Sequence, residues 1–139
     1  MDKIQLKALA KINLGLDVLR RREDGYHEVK MIMQTIGLHD DLEIRKTKTP
    51  GIQVKTNLYY LPTNENNLVY KAAKLLMDEF QIQDGVSIQL KKRIPVAAGM
   101  AGGSSDGAAV LWGINQMYGL GVSMQALMER GVRLGADVP

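Results

Sequence analysis

No cysteine occurs in the 139 residues, so the chain forms neither a disulfide nor a thiolate metal site. That composition is compatible with a reducing compartment, and a cytoplasmic location is the expectation. Aromatic side chains are scarce at 5%, with one tryptophan and one phenylalanine, which leaves a single-stranded nucleic acid few rings to stack on. No apolar run approaches the length that spans a bilayer, and Met1-Asp-Lys-Ile-Gln-Leu-Lys7 holds no signal-peptide apolar region. A dominant charge is missing as well. The formal net charge is only +3, and Arg20, Arg21 and Arg22 are followed at once by Glu23 and Asp24, the pattern of a solvated loop. That balance suits a small acidic substrate and is too weak to argue for nucleic acid. The expected partner is a small molecule, with neither nucleic acid nor membrane.

What is present is enough apolar material for one domain: 45% hydrophobic residues. Apolar alternation predicts strands over Ile4 to Ala10, Ile12 to Leu19, His27 to Leu38, Leu42 to Arg45, Ile52 to Thr56 and Val86 to Arg93. Turns are expected at Arg20 to Gly25 and at Thr49-Pro-Gly51. Leu61 to Asn67 supplies breakers and N-cap candidates, after which Leu68, Ala72, Leu75, Leu76 and Phe80 recur at helical spacing. A second helix opens at Ser104 with Ala108, Leu111, Trp112 and Ile114 on its apolar positions, and Gly119 and Gly121 stop it. Ser123 caps a third, from about Met124 to Leu134. The eight methionines fall mainly in these apolar stripes and read as core packing. Strands first and helices later indicate the α+β class.

The most informative stretch is Pro95-Val-Ala-Ala-Gly-Met-Ala-Gly-Gly-Ser-Ser105, which sets glycines and paired serines between a strand and a helix. Glycines let backbone approach a ligand, and the helix N-terminus offers N–H groups and a positive dipole end to an anion. Two familiar phosphate loops are absent. No lysine follows the last glycine, so G-x-x-x-x-G-K-[ST] fails, and the spacing does not give G-x-G-x-x-G. From these residues alone, a phosphate cradle and a simple helix cap by Ser104 or Ser105 stand equally open.

Further segments make the pattern specific: Ala10-Lys-Ile-Asn-Leu-Gly-Leu-Asp-Val18, Asp24-Gly-Tyr-His27 and Leu134-Gly-Ala-Asp-Val-Pro139. With the glycine-rich stretch they resemble, in order and over essentially the whole chain, the amino-terminal half of the GHMP small-molecule kinases. The likeness is strongest to the branch that serves non-mevalonate isoprenoid synthesis. The resemblance implies an amino-terminal domain like the second domain of ribosomal protein S5. It also implies transfer of the γ-phosphoryl group of ATP, with Mg²⁺, to the 2-hydroxyl of 4-diphosphocytidyl-2-C-methyl-D-erythritol.

By that resemblance, Asp137 matches the catalytic aspartate and Lys11 its partner lysine. A carboxylate suits acceptance of a hydroxyl proton, and a cation keeps it ionised while offsetting phosphoryl charge. Asn13 holds the substrate, Tyr26 stacks on the cytosine and His27 hydrogen-bonds its edge. The loop of Pro95, Val96, Ala97, Ala98, Gly99, Met100, Ala101, Gly102, Gly103, Ser104 and Ser105 wraps the ATP phosphates. Asn67 falls on the adenine side, and the Ser105 hydroxyl is the group that could reach Mg²⁺. Taken singly, a strand-start lysine and a turn aspartate are ordinary surface residues. Their place inside matched motifs is what assigns them chemistry. His39 matches nothing and reads as a structural residue.

The chain departs from the superfamily's loop at Met100, where leucine is common, and at Asp106-Gly107, where small neutral residues are frequent. Asp106 complements a helix N-terminus but repels a phosphate, so its side chain is expected to point away from the loop. The family also has a ferredoxin-like carboxy-terminal domain and a later glycine-rich segment, to which nothing here corresponds. The expectation is therefore that residues 1–139 are the amino-terminal domain of a longer kinase and alone are not a competent enzyme. A nucleic-acid-binding module of S5-like architecture and a catalytically dead remnant are the competing readings.

Overall fold

Polar and apolar residues alternating with a period of two build the sheet. The computed structural model describes residues 1–9, 39–58, 61–93 and 102–134. Its strands are β1 (Lys3–Leu9), β2 (His39–Thr47), β3 (Gly51–Thr56) and β4 (Gly85–Lys91). Even-numbered residues face inward: Ile4, Leu6 and Ala8 on β1, Leu42 and Ile44 on β2, Val54 on β3, and Val86, Ile88 and Leu90 on β4. The register sets Ile4 opposite Ile44, and Leu42 between Leu6 and Leu90, so the apolar rows meet across strands. Among the described residues the sheet order is β1-β2-β4-β3, antiparallel at β1/β2 and β2/β4 and parallel at β3/β4.

The parallel pair requires a crossover, and α1 (Leu68–Glu79) provides it between β3 and β4. Two more helices follow, α2 (Gly102–Tyr118) and α3 (Met124–Leu134). Helix α2 lies on β1 and β2, α1 packs on β3 and α2, and α3 rests on α2 and α1. The core fills the space between sheet and helices. Its helical side is Val69, Ala72, Ala73, Leu76 and Met77 of α1, Val110, Leu111, Ile114 and Met117 of α2, and Leu127 of α3. An Arg130 guanidinium pairs with the Glu79 carboxylate and ties α3 to α1. The α+β class is correct.

Several sequence expectations shift in detail. Strand β2 begins at His39 and ends at Thr47, longer than Leu42 to Arg45, because its polar ends also pair with β1 and β4. Helix α2 begins at Gly102 rather than Ser104. Its Ala108 and Trp112 are exposed, and the buried row instead runs through Val110, Leu111, Ile114 and Met117. Phe80 is the C-cap of α1 and partly exposed, since the buried seam of that helix is centred on Val69 and Leu76. Methionine usage divides: Met77 and Met117 are core, whereas Met1, Met124 and Met128 are exposed.

The helix stops read from glycine hold, with Gly119 and Gly121 both at positive φ. Asn115, buried in α2, then grips the next turn by donating to the Val122 carbonyl and accepting from its N–H, each at 3.0 Å. Ser123 caps α3 by accepting the Ala126 N–H. The expected strands at 12–19 and 27–38, and the turn at 20–25, lie outside the described residues.

Candidate functional site

The inward alternation of β4 runs Val86, Ile88, Leu90 and then, one step past the strand, Lys92. That phase turns the Lys92 side chain toward the helices, where an ammonium requires partners. Two carboxylates supply them. Asp40, at an inward position of β2, accepts from Lys92 Nζ at 2.6 Å through Oδ2, and Asp106, in the second turn of α2, accepts at 3.0 Å. Asp40 uses its other oxygen to accept the Arg93 N–H at 2.6 Å. All three side chains are buried, with Lys92 5% exposed.

The main chain of Lys92 is held as firmly as its side chain. Asn57, just past β3, accepts the Lys92 N–H at 2.8 Å and donates to the Lys92 carbonyl at 3.1 Å. This side-chain pair takes the place of the next rung of the β3/β4 ladder. One residue thus joins the ends of β3 and β4, the start of β2 and the opening of α2.

Burial sets the protonation of the cluster. Desolvation is the largest influence on Asp106, and with the hydrogen bond to Asp40 it pushes the carboxyl up to about 8 against the pull of Lys92. Burial also acts to lower Lys92, but its bonds to the two aspartates outweigh that, and the ammonium stays above the ordinary lysine value. Asp106 thus keeps its proton at neutral pH beside the Lys92 ammonium.

The glycine-rich stretch runs from this clamp to α2. Pro95, Val96, Ala97, Ala98, Gly99, Met100 and Ala101 lie outside the described residues, whereas Gly102, Gly103 and Ser104 form the first turn of α2 and Ser105 follows, half-buried. The 17-residue helix has no acidic side chain in its first turn. Asp106 turns inward onto Lys92. A helix start without an acidic side chain is electrostatically suited to an anion. Gly107 packs against Leu68 of α1, where a side chain would meet only ordinary contact distances.

Asn67 is the N-cap of α1. Its Oδ1 accepts the Val69 N–H at 2.8 Å and its Nδ2 donates to the Pro62 carbonyl at 2.9 Å, so both ends of the amide are used within its own loop. Lys11, Asn13, Tyr26, His27 and Asp137 lie outside the described residues. His39 sits half-buried at the start of β2 with Nε2 3.6 Å from Asp41.

Sequence reasoning missed Asn57, Asp40 and Lys92. The signal for the last two was present, because both fall in phase with inward apolar residues of their strands. A groove of about 670 Å³ on the sheet is lined in part by Gln5, Lys7, Glu43, Lys55 and Lys91, and among the described residues none of the sequence-predicted site residues lines it. Its Glu43 is already engaged by Lys3 and Arg45.

The chain is 62% identical over all 139 residues to a protein of Lachnoclostridium phytofermentans named 4-diphosphocytidyl-2-C-methyl-D-erythritol kinase, covering 48% of that protein. It is 55% identical, with the same coverage, to a protein of that name from Lachnospira eligens. The chain spans about half the length of the curated relatives it matches. Among solved structures, mevalonate kinase of Methanococcus jannaschii superposes with a TM-score of 0.64 over 98% of this chain and 46% of its own, at 15% identity, a likeness of fold. Residues 67–139 match the GHMP kinases N terminal domain. With more than half its length inside that match, the chain belongs to the GHMP kinase family.

Proposed function

We propose that the chain is the amino-terminal, nucleotide-binding part of a 4-diphosphocytidyl-2-C-methyl-D-erythritol kinase, which moves the γ-phosphoryl group of ATP to the 2-hydroxyl of that substrate. The observation that carries this reading is the identity of 62% and 55%, over the whole of this chain, to relatives of that name. The opening of α2 supports it, with backbone N–H groups at a helix start and the Asp106 carboxyl directed into the core.

Phosphoryl transfer asks a protein mainly for position and charge. In this reading Asp137 accepts the proton of the 2-hydroxyl as its oxygen bonds to the γ-phosphorus and the bond to ADP breaks. Lys11 keeps Asp137 ionised and offsets charge on the phosphoryl oxygens. Asn13 orients the substrate near both, Tyr26 stacks on the cytosine and His27 reads its edge. The segment Pro95 to Ser105 binds the ATP phosphates through backbone N–H groups. Asn67, whose amide is committed to capping, serves the adenine side by holding the 61–67 turn.

Mg²⁺ neutralises phosphate charge when it binds with the nucleotide, and it commonly takes only one or two protein oxygens. The Ser105 hydroxyl at the start of α2 fits that need. The setting is cytoplasmic, in keeping with the absence of cysteine, and no described helix is long and apolar enough to cross a membrane.

The test is phosphorus NMR of the full-length protein mixed with MgATP and the cytidine-diphospho substrate. A new phosphomonoester resonance, formed together with ADP, is expected. Release of ADP without that resonance, or no turnover, overturns the assignment.

A further inference from the structure

We propose that Lys92 is a positioning residue for nucleotide binding: gripped by Asp40, Asp106 and Asn57, it fixes the two backbone ends that flank the glycine-rich stretch. The inference rests on the nucleotide reading of α2. Lys92 is 5% exposed and its carboxylate partners are buried, so none of the three side chains is available to touch a ligand. Whatever they contribute to binding passes through the backbone.

Arg93 and Gly102 bound the eight residues 94–101. Backbone N–H groups bind phosphate well only when their directions are set beforehand, and those of the first turn of α2 take their direction from what anchors that helix. At one end the Lys92 N–H and carbonyl are both held by Asn57, and the Arg93 N–H is held by Asp40. At the other end the second turn of α2 is tied through Asp106 to the same ammonium. The three bonds of 2.6, 3.0 and 2.6 Å form one connected network spanning β2, the end of β4 and α2.

Stability alone does not account for such a network. A buried ion pair adds little to stability over a well-packed neutral set of similar volume, whereas only the polar set specifies direction. Fold and affinity should therefore separate when the network is neutralised.

The test uses the full-length protein and ADP as the probe, with four measurements: calorimetric affinity, thermal unfolding, steady-state kinetics and backbone amide exchange. The variants are the double change Asp40→Asn/Lys92→Met, which removes both charges together, and Asn57→Ala. In the double variant the melting temperature is expected near wild type, while the Kd for ADP and the KM for ATP each rise about tenfold, a typical range for coupling through packed networks. The KM for the cytidine substrate is expected to stay within about twofold, and amides of the first turn of α2 are expected to exchange faster. Asn57→Ala is expected to act in the same direction.

Wild-type ADP affinity in a double variant that folds normally overturns the proposal. So does an equal rise in KM for both substrates. If the wild-type protein binds no ADP, the nucleotide reading itself falls, and amide exchange then decides the positioning role alone: unchanged exchange at Gly102 to Asp106 in both variants refutes it.

Discussion

Lys92 Nζ lies 2.6 Å from the carboxylate of Asp40, a residue 52 positions away, with almost none of either side chain exposed to solvent. Removing one partner strands the other charge, so Lys92→Met alone is expected to cost about 3–5 kcal/mol. Adding Asp40→Asn should recover most of that loss. Urea unfolding of the two variants checks this, and equal midpoints would remove the case for a buried charge pair.

The proton on Asp106 links stability to pH. Its folded carboxyl titrates near 8, chiefly from burial, against 3.8 for the unfolded value. Between those values the folded state holds a proton that the unfolded chain has released. The stability this group contributes is complete below about pH 4 and is lost as pH rises toward 8, with a limiting slope of about 1.4 kcal/mol per pH unit. Asp106→Asn, which imitates the protonated carboxyl, should flatten that part of the curve. Urea midpoints at pH 5, 7 and 9 for both proteins would show it, and parallel curves would contradict it.

Asn115 satisfies both polar groups of the Val122 peptide unit from inside α2. Asn115→Ala leaves them without those partners and is expected to cost about 1–3 kcal/mol by thermal unfolding. Asn115→Asp keeps the acceptor and loses the donor, so a loss nearly as large is expected. A melting temperature unchanged in both variants would rule out the clamp.

Two glycines should respond in opposite directions to alanine. At Gly85 a Cβ would stand 1.8 Å from the Thr49 carbonyl oxygen, a backbone atom with no room to yield, so Gly85→Ala should cost about 3 kcal/mol or more. At Gly107 the nearest atom is Leu68 Cβ at 3.5 Å, so Gly107→Ala gains helix propensity of up to about 1 kcal/mol. Denaturant midpoints moving the same way in both would show that the local space is misjudged.

For the proposed chemistry, Lys11→Ala and Asp137→Asn in the full-length protein are expected to lower kcat by about 10²-fold or more with the fold intact. Tyr26→Ala and His27→Ala should chiefly raise the KM for the cytidine substrate, because they act far from the transferring group. Steady-state kinetics with each substrate varied separates the two classes. Near-normal kcat in either member of the first pair would sink the assignment of roles.

Local signals carried far because they depend on neighbours in the chain. Alternation located β1, β3 and β4 to within a residue or two, Gly119 and Gly121 ended α2, and Asn67 and Ser123 capped the helices that follow them. The class of the fold and membership of the kinase family were likewise legible. Trp112 and Phe80 were misplaced because helical spacing identifies a stripe but not its width, and the space left by neighbouring elements decides which edge is covered.

Among the described residues the sequence determined by itself which segments become strands and helices and which strand residues point inward, since each follows from dihedral preference and a period of 2 or 3.6. Tertiary structure alone decided that Asn57, Asp40, Lys92 and Asp106, spread over residues 40–106 of the 139, meet where β4 ends and α2 begins. An inward lysine in a strand announces only that some partner is required. Which carboxylate arrives depends on sheet order and on the face where α2 lands, and those are set by packing across the whole core.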